Sequence, residues 1–178
     1  MIDKGLLKEL MIFSDLSDDR LETIARKSEI NEYKRNDFIF HRDEPALNFY
    51  GIQEGEVELS LSFKEEISKK DINYEESIQT LVETVEKAIV VDTIGVDEVF
   101  GWTSLLRDPV GWSSTAICSE HSKIITIKGK DLKALFSADC ELGYLIQGRI
   151  GEIFAQRLAH RTDKLVEAWA AAFNVDKI

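Results

Sequence analysis

Apolar residues near the N-terminus recur at helical spacing and predict two short helices within residues 1–28. The first helix has an apolar stripe made of Leu6, Leu7, Leu10 and Met11. Ser17 is a favourable N-cap for the second helix, because its hydroxyl can accept a hydrogen bond from the first turn. Two acids follow it at the positive helix end, and the buried face is expected to contain Leu21, Ile24 and Ala25.

The pattern changes to a period of two after the second helix, which predicts short strands over residues 29–128. Between Ser28 and Phe63 the apolar positions are rich in aromatic and β-branched residues: Ile30, Tyr33, Phe38, Ile39, Phe40, Phe49, Tyr50, Ile52, Val57, Leu59 and Leu61. The rhythm resumes over residues 88–91 and 124–127. Short strands separated by turn residues are typical of a sandwich or barrel.

Residues 64–87 interrupt this strand rhythm and predict an inserted helix at about residues 71–88. Their apolar residues stand at helical spacing: Ile78, Leu81, Val82 and Val85. Asn73 followed by Glu76 also resembles a capping box. Three placements stay open for this helix: folded back on the barrel surface, exposed as a docking surface for a partner or second subunit, or closed over a pocket as a lid.

The C-terminal part, residues 130–178, reads as helix. A short helix is predicted over Lys130 to Phe136, and a longer one begins near Asp139. Its apolar stripe comprises Leu142, Ile146, Ile150, Phe154, Leu158, Leu165, Trp169 and Phe173. A helix of about 30 residues, at about 1.5 Å per residue, is longer than a small barrel is wide. Part of the stripe must therefore contact something other than the barrel, or the helix must kink and fold back onto its own chain.

The segment from Thr93 to Cys118 reads as strand, turn, short helix, tight loop and strand. Gly101 suits a backbone with positive φ or a close approach, and residues 102–106 have the composition of a short helix. A helix start leaves N–H groups unpaired and carries partial positive charge, so it favours an anion. Hydroxyl side chains follow at Ser113, Ser114 and Thr115. The layout predicts a phosphate cradle between two strands.

Composition narrows the class of protein. The 178 residues fit one domain, 1–178, and 44% hydrophobic with 31% charged residues is ordinary for a globular protein. The net charge of −11 disfavours DNA and anionic membranes as partners. The sequence shows neither a signal peptide nor an apolar run of about 20 residues. Two cysteines, Cys118 and Cys140, indicate reduced thiols and a cytoplasmic protein.

The sequence carries no recognisable catalytic constellation. Its three histidines, His41, His121 and His160, are isolated and fall on different predicted elements. No His-x-His, Cys-x-x-Cys or Gly-x-Ser-x-Gly motif occurs. We therefore expect a protein that is not an enzyme and has neither a metal nor a resident cofactor.

The residues Phe100-Gly101, Leu105-Leu106 and Ser113-Ser114-Thr115 resemble the phosphate-binding cassette of the cyclic-nucleotide-binding domain family. We call residues 100–115 the cassette. Gly55 keeps one turn glycine of the family, and three further turn glycines are replaced by Asn36, Asp43 and Asp97. Asn and Asp are the other residues that best tolerate a left-handed conformation. The resemblance implies a mainly β fold: an eight-stranded jelly-roll (double-stranded β-helix) barrel with N-terminal helices and a long C-terminal helix.

The resemblance also implies that both charged ligand contacts are missing. Trp102 stands where the family has the Glu that holds the ribose hydroxyl, and Trp112, or Gly111, stands where it has the Arg that pairs with the cyclic phosphate. The expected ligand-contacting residues are Phe100, Gly101, Trp102, Thr103, Ser104, Leu105, Trp112, Ser113, Ser114 and Thr115. Arg161 and Thr162 align with the positions that cap the base. Arg161 either supplies the missing cation or is simply exposed.

Two functions remain open. In the first, the chain is a ligand-sensing regulatory module that binds cAMP or cGMP weakly or not at all and binds another small anionic or nucleotide-like ligand. Alternatively Trp102 and Trp112 fill the pocket, and the chain is a ligand-free dimeric scaffold or protein-interaction module; a tryptophan-lined pocket for an aromatic metabolite is a variant of the first reading. The resemblance implies a homodimer through the C-terminal helix and an unidentified protein partner. Because the chain stops at Ile178, before a helix-turn-helix unit, DNA binding is not expected.

Overall fold

The structure is a computed structural model that describes residues 2–71, 79–106 and 111–173. Its helices are α1 (Lys4–Glu9), a first 3₁₀ helix (Met11–Phe13), α2 (Asp18–Ala25), a cassette 3₁₀ helix (Trp102–Leu105), α3 (Gly129–Ala138) and α4 (Cys140–Phe173). Its strands are β1 (Ser28–Tyr33), β2 (Phe38–Phe40), β3 (Asn48–Glu54), β4 (Val57–Asp71), β5 (Gln79–Ile94), β6 (Val99–Phe100), β7 (Thr115–Cys118) and β8 (Ser122–Lys128). The two N-terminal helices and the two C-terminal helices therefore flank a β-rich centre, as the sequence predicts.

The strands form two four-stranded sheets, ordered β1-β8-β3-β6 and β2-β7-β4-β5. Every pairing between these strands is antiparallel. Strand β8 (Ser122–Lys128) is buried on both faces, because Ile125 and Ile127 pack in one hydrophobic cluster and Ile124 packs in the other. The prediction of a mainly β fold with flanking helices and a long C-terminal helix is confirmed.

The predicted helix at about residues 71–88 is wrong wherever the structure describes it. Asp71 ends β4 and residues 79–88 belong to β5, with Val57 opposite Ile94 and Asp71 opposite Gln79. Residues 72–78 lie outside the described part of the chain. The apolar spacing was compatible with a helix, but pairing with a neighbouring strand overrides it. The register also pairs opposite charges, since Lys64 faces Glu86.

Two hydrophobic clusters hold the fold together. One joins the N-terminal helices, α3 and the start of α4 to the first sheet, and its largest fully buried side chains include Phe13 and Phe49. The other lies between the two sheets and contains Phe40, Tyr50 and Trp112. The cassette is therefore positioned by both clusters, because Phe100 belongs to the second while its neighbours after Gly101 pack on the first.

Helix α4 is docked in its first half and projects in its second half. Leu142 and Ile146 are buried, and Arg149 Nη1 donates to the Ile12 carbonyl at 2.8 Å. Further along, Leu165 and Trp169 are 60% and 63% exposed. The apolar stripe thus outruns the core, as its length predicts.

Three turns use non-glycine residues in a left-handed conformation. Asn36, Asp43 and Asp97 have φ values of 70°, 69° and 67°. Their short polar side chains make this conformation accessible at low cost. The prediction that the turn backbone is kept while the side chain changes is confirmed at all three positions.

The start of α4 depends on Asp139. Its Oδ1 accepts a hydrogen bond from the Leu142 N–H at 2.9 Å, and its carboxylate receives Arg20 Nε at 2.7 Å and Nη2 at 3.1 Å. These contacts, the Arg20 hydrogen bond first, hold the pKa of Asp139 below its ordinary value. The carboxylate therefore stabilises the fold above its unfolded-state pKa, and this contribution is lost as the pH falls through the lower folded-state pKa.

We expect Asp139→Ala to lower the melting temperature at neutral pH and to weaken its dependence on acid. Asp139→Asn is the matched control, because asparagine also caps helices but cannot form the ion pair. The asparagine variant should keep the stability that comes from helix capping and lose only the part that depends on pH. Thermal unfolding followed by circular dichroism between pH 3 and 7 measures both effects. Equal pH dependence in the wild type and in Asp139→Asn would contradict this role.

Candidate functional site

The cassette begins where β6 ends. Gly101, with φ 83°, turns the chain from Phe100 into the 3₁₀ helix of residues 102–105. A Cβ atom on Gly101 would lie 2.8 Å from the Asn48 carbonyl oxygen and 2.8 Å from Tyr50 Cδ2. Only glycine fits this close approach to β3. The predicted strand–turn–short-helix sequence is therefore present.

Several of the predicted hydroxyl contacts serve the protein's own backbone. Ser104 Oγ donates to the Gly101 carbonyl at 2.8 Å, and Thr115 Oγ1 accepts from the Arg42 N–H at 3.1 Å. Thr162 Oγ1 donates to the Leu158 carbonyl at 2.8 Å within α4. The remaining candidates differ in exposure: Ser114 is buried, Ser113 is exposed, and Thr103 and Leu105 are half-buried.

Trp112 fills the space beside Gly101. Its indole is 4% exposed and stacks on Phe40 with ring centroids 4.0 Å apart and planes 17° apart. Tyr50 lies 6.2 Å from the same ring and itself stacks on Phe100 at 4.9 Å. A Cβ atom on Gly101 would lie 3.4 Å from Trp112 Cη2, so the indole reaches the cassette backbone. Four aromatic rings therefore occupy the space between the sheets at this point.

Trp102 lies elsewhere, against α4. Its ring meets Phe154 edge-on with centroids 6.1 Å apart, and the Arg157 guanidinium carbon lies 4.9 Å from its centroid. A cation over an indole face is attracted by the ring quadrupole. The expectation that both tryptophans fill one pocket is therefore wrong for Trp102, which joins the cassette to the helix.

An ion-pair cluster connects α4 to β5 and β6. Asp92 is 5% exposed, and its Oδ2 accepts from Arg161 Nη2 at 3.2 Å. Arg157 Nη1 lies 3.9 Å from the same oxygen, while its Nη2 donates to the Val99 carbonyl at 3.0 Å and lies 3.8 Å from Glu98. Arg161 was expected either to meet a ligand or to be exposed. Its side chain is 40% exposed and is held by an acid of the chain itself.

Burial dominates the electrostatics of Arg157. Desolvation lowers its pKa, and the carboxylates of Asp92 and Glu98 partly counter that shift. The guanidinium stays charged in proteins, so the buried cation depends on these acids. The sequence analysis missed both Asp92 and Arg157. The sequence feature that could have identified Asp92 is its position directly after the apolar run Ile89-Val90-Val91.

Two concave regions adjoin α4. A cavity of about 280 Å³ lies between the helix, the first 3₁₀ helix and the β5–β6 turn, and its polar lining includes Asp92, Arg157 and Lys164. A larger apolar groove of about 810 Å³ lies between the cassette 3₁₀ helix, α3 and α4, with Trp102 and Phe154 in its wall. Within the described ranges, no group of three or more potential ligands could hold a metal ion. None of the helices described is long and apolar enough to cross a membrane.

No family model matches the sequence, and no curated protein sequence matches it. Solved structures do match the fold. A putative cyclic nucleotide-binding protein from Geobacter metallireducens GS-15 has a TM-score of 0.65 and 22% identity, over 89% of this chain and 99% of that one. A cyclic nucleotide-binding domain from Methylobacillus flagellatus KT has a TM-score of 0.67 and 18% identity, over 93% of this chain and 84% of that one.

A third similar structure is the sensor domain of the transcriptional regulator DNR from Pseudomonas aeruginosa. It has a TM-score of 0.59 and 16% identity, over 88% of this chain and 91% of that one. At these identities the likeness concerns the fold. Together with the left-handed turns and the cassette backbone, it shows that this chain has the fold of the cyclic-nucleotide-binding domain proteins.

Proposed function

We propose that this chain is a non-catalytic, ligand-sensing regulatory module that binds cAMP and cGMP weakly or not at all. The observation that carries the proposal is the position of Trp112. Its buried indole stacks on Phe40 and reaches Gly101, at the place where the resemblance puts a sugar-phosphate. A nucleotide would have to displace a packed aromatic ring before it could contact the cassette.

The missing charges act in the same direction. Charge-assisted hydrogen bonds typically contribute about 1.5–3 kcal/mol each. Losing two of them weakens binding of a cyclic nucleotide by roughly 100- to 10,000-fold. Arg161 does not offset this loss, because its guanidinium already binds Asp92.

Helix α4 is the element through which we expect the module to act. Trp102 and Arg157 join the cassette to this helix, and Arg157 also binds the Val99 carbonyl. A ligand that changes these contacts would change the packing of α4, and a partner protein could read that change. The free cysteines, buried Cys118 and exposed Cys140, fit a cytoplasmic location.

A second function is favoured by the projecting half of α4. Leu158, Leu165 and Trp169 are 58%, 60% and 63% exposed and lie on one side of the helix. An apolar stripe of this kind is suited to packing against its own copy. We propose that the protein forms a homodimer through α4. A ligand-free dimeric scaffold that binds a further protein, with neither DNA nor membrane as a partner, is the alternative to the sensor.

Cyclic nucleotides should not stabilise the protein. We expect micromolar cAMP or cGMP to leave the melting temperature unchanged, because the interior is filled and both ionic contacts are missing. Differential scanning fluorimetry with increasing nucleotide measures this, and a ligand that binds only the native state would raise the midpoint. A rise of several degrees at micromolar cAMP would contradict the proposal.

Removing the Trp112 indole should destabilise the protein. Trp112→Ala is expected to lower the free energy of unfolding by about 3–5 kcal/mol, as other buried aromatic truncations do. Leu47→Ala is the matched control, since Leu47 is 64% exposed and its truncation should change stability by about 0.5 kcal/mol or less. Urea unfolding followed by far-UV circular dichroism compares the two. Equal, small losses would show that Trp112 does not fill the interior.

The dimer has its own test. Leu165→Glu places a charge in the exposed stripe and should convert the dimer to a monomer. Ala171→Glu places the same charge on the other side of α4, at another exposed position, and should leave the dimer intact. Size-exclusion chromatography with light scattering measures the mass of each variant. A monomeric wild type, or a dimer that persists in Leu165→Glu, would overturn the proposed interface.

A further inference from the structure

The cavity beside α4 is separate from the space that Trp112 fills. It lies between the first 3₁₀ helix, the end of β5 and the turn into β6, and the side of α4 that faces them. Its volume of about 280 Å³ lies just below the usual range for ligand sites, roughly 300–1,000 Å³. An occupant must therefore be a small molecule rather than a dinucleotide or a peptide.

The wall of the cavity includes a guanidinium with an unused donor. Arg157 lines the cavity, and its Nη1 is buried without a hydrogen-bond partner among the described residues, 3.9 Å from Asp92 Oδ2. An unsatisfied buried donor is costly, and a guanidinium is well matched to a carboxylate. The Arg157 guanidinium therefore favours a ligand that brings acceptor oxygens.

A purely anionic ligand does not fit the remaining charges. Three carboxylates, those of Asp92, Asp97 and Glu98, line the same cavity, against the cations of Arg157 and Lys164. A phosphate or dicarboxylate placed there would be repelled by three acids. A ligand with an ammonium group as well as a carboxylate satisfies both sets of charges. The rest of the wall has apolar side chains, from Met11, Ile12, Val99 and Ile153, and uncharged or imidazole side chains, from Thr93, Gln156 and His160.

We propose that this cavity binds a small zwitterion of the α-amino-acid type. Its carboxylate would pair with the Arg157 guanidinium, its ammonium group with Asp97 and Glu98, and an apolar side chain would contact Ile12 and Ile153. No residue of the cassette is needed for this binding. The site differs from the cassette in its place and in its ligand chemistry. Binding here therefore does not depend on whether the cassette binds a cyclic nucleotide.

Binding at this site would act on α4. The cavity wall comes from α4 on one side and from the β5–β6 turn and first 3₁₀ helix on the other. A ligand that bridges these elements strengthens the docking of α4 through Arg157. Only this consequence rests on the proposed regulatory function, because ligand binding itself can be measured without any partner.

The experiment uses three probes with one carbon skeleton. L-leucine carries both charged groups, 4-methylpentanoate lacks the ammonium group, and L-leucinamide lacks the carboxylate. At 10 mM, with the other standard L-amino acids in parallel, at least one amino acid is expected to raise the melting temperature by a few degrees. For the best amino acid, the analogues without the ammonium group or the carboxylate should give little or no rise. cAMP is run as a separate arm, and its result bears only on the cassette.

Asp97→Asn and Asp43→Asn are a matched pair of variants. Both positions have a left-handed backbone that asparagine tolerates, but Asp97 lines the cavity while Asp43 lies in a different turn. Asp97→Asn should weaken binding of the best amino acid by about 10- to 100-fold, and Asp43→Asn should leave it unchanged. Isothermal titration calorimetry measures both dissociation constants.

Three outcomes would overturn the proposal. They are the absence of a melting-temperature rise with all twenty amino acids, equal rises with the charged-group analogues, and equal dissociation constants for the two variants. Arg157→Gln provides a second check, read as the ligand-induced rise above the melting temperature of the variant itself. That rise should vanish even if the variant is less stable.

Discussion

The stacking of Trp112 on Phe40, between two sheets and against the backbone of Gly101, is the contact on which the account of the site depends. It buries an indole against the backbone of the cassette. Tyr50 and Phe100 complete the cluster from the sheet that contains β3 and β6, while Phe40 belongs to the other sheet. Since densely packed interiors resist changes of even one methylene group, opening this space costs much of the stability of a domain.

A second constraint acts at the surface of this core, where charges are buried next to α4. Arg157 touches the indole of Trp102, the Val99 carbonyl and the acids Asp92 and Glu98. A buried cation is tolerated only with such partners. These contacts therefore fix the position in which the first half of α4 docks. Beyond it the helix has an exposed apolar stripe that includes Leu158, Leu165 and Trp169. The fold therefore combines a filled interior with a helix whose apolar stripe is exposed beyond the core.

The features predictable from the sequence were those set by local chemistry. Asn36, Asp43 and Asp97 marked left-handed turns because few other side chains tolerate that backbone, and Gly101 marked the cassette turn for the same reason. The long α4 followed from its periodic stripe. The prediction of an inserted helix was wrong because the spacing of apolar residues alone could not show that residues 79–88 pair with β4.

The ion-pair cluster could not be predicted from the sequence for a similar reason. Asp92 and Arg161 are 69 residues apart, and only the docking of α4 brings them to 3.2 Å. The place of Trp102 was misjudged in the same way, since its side chain turns toward the helix rather than toward Trp112. Contacts between distant segments, rather than local propensities, decide both positions.

A crystal structure of the protein grown in saturating cAMP tests the central claim most directly. The account predicts Trp112 stacked on Phe40 with ring centroids about 4.0 Å apart, and no nucleotide beside Gly101. A cyclic nucleotide bound at Gly101, with the Trp112 indole displaced from between the sheets, would contradict it.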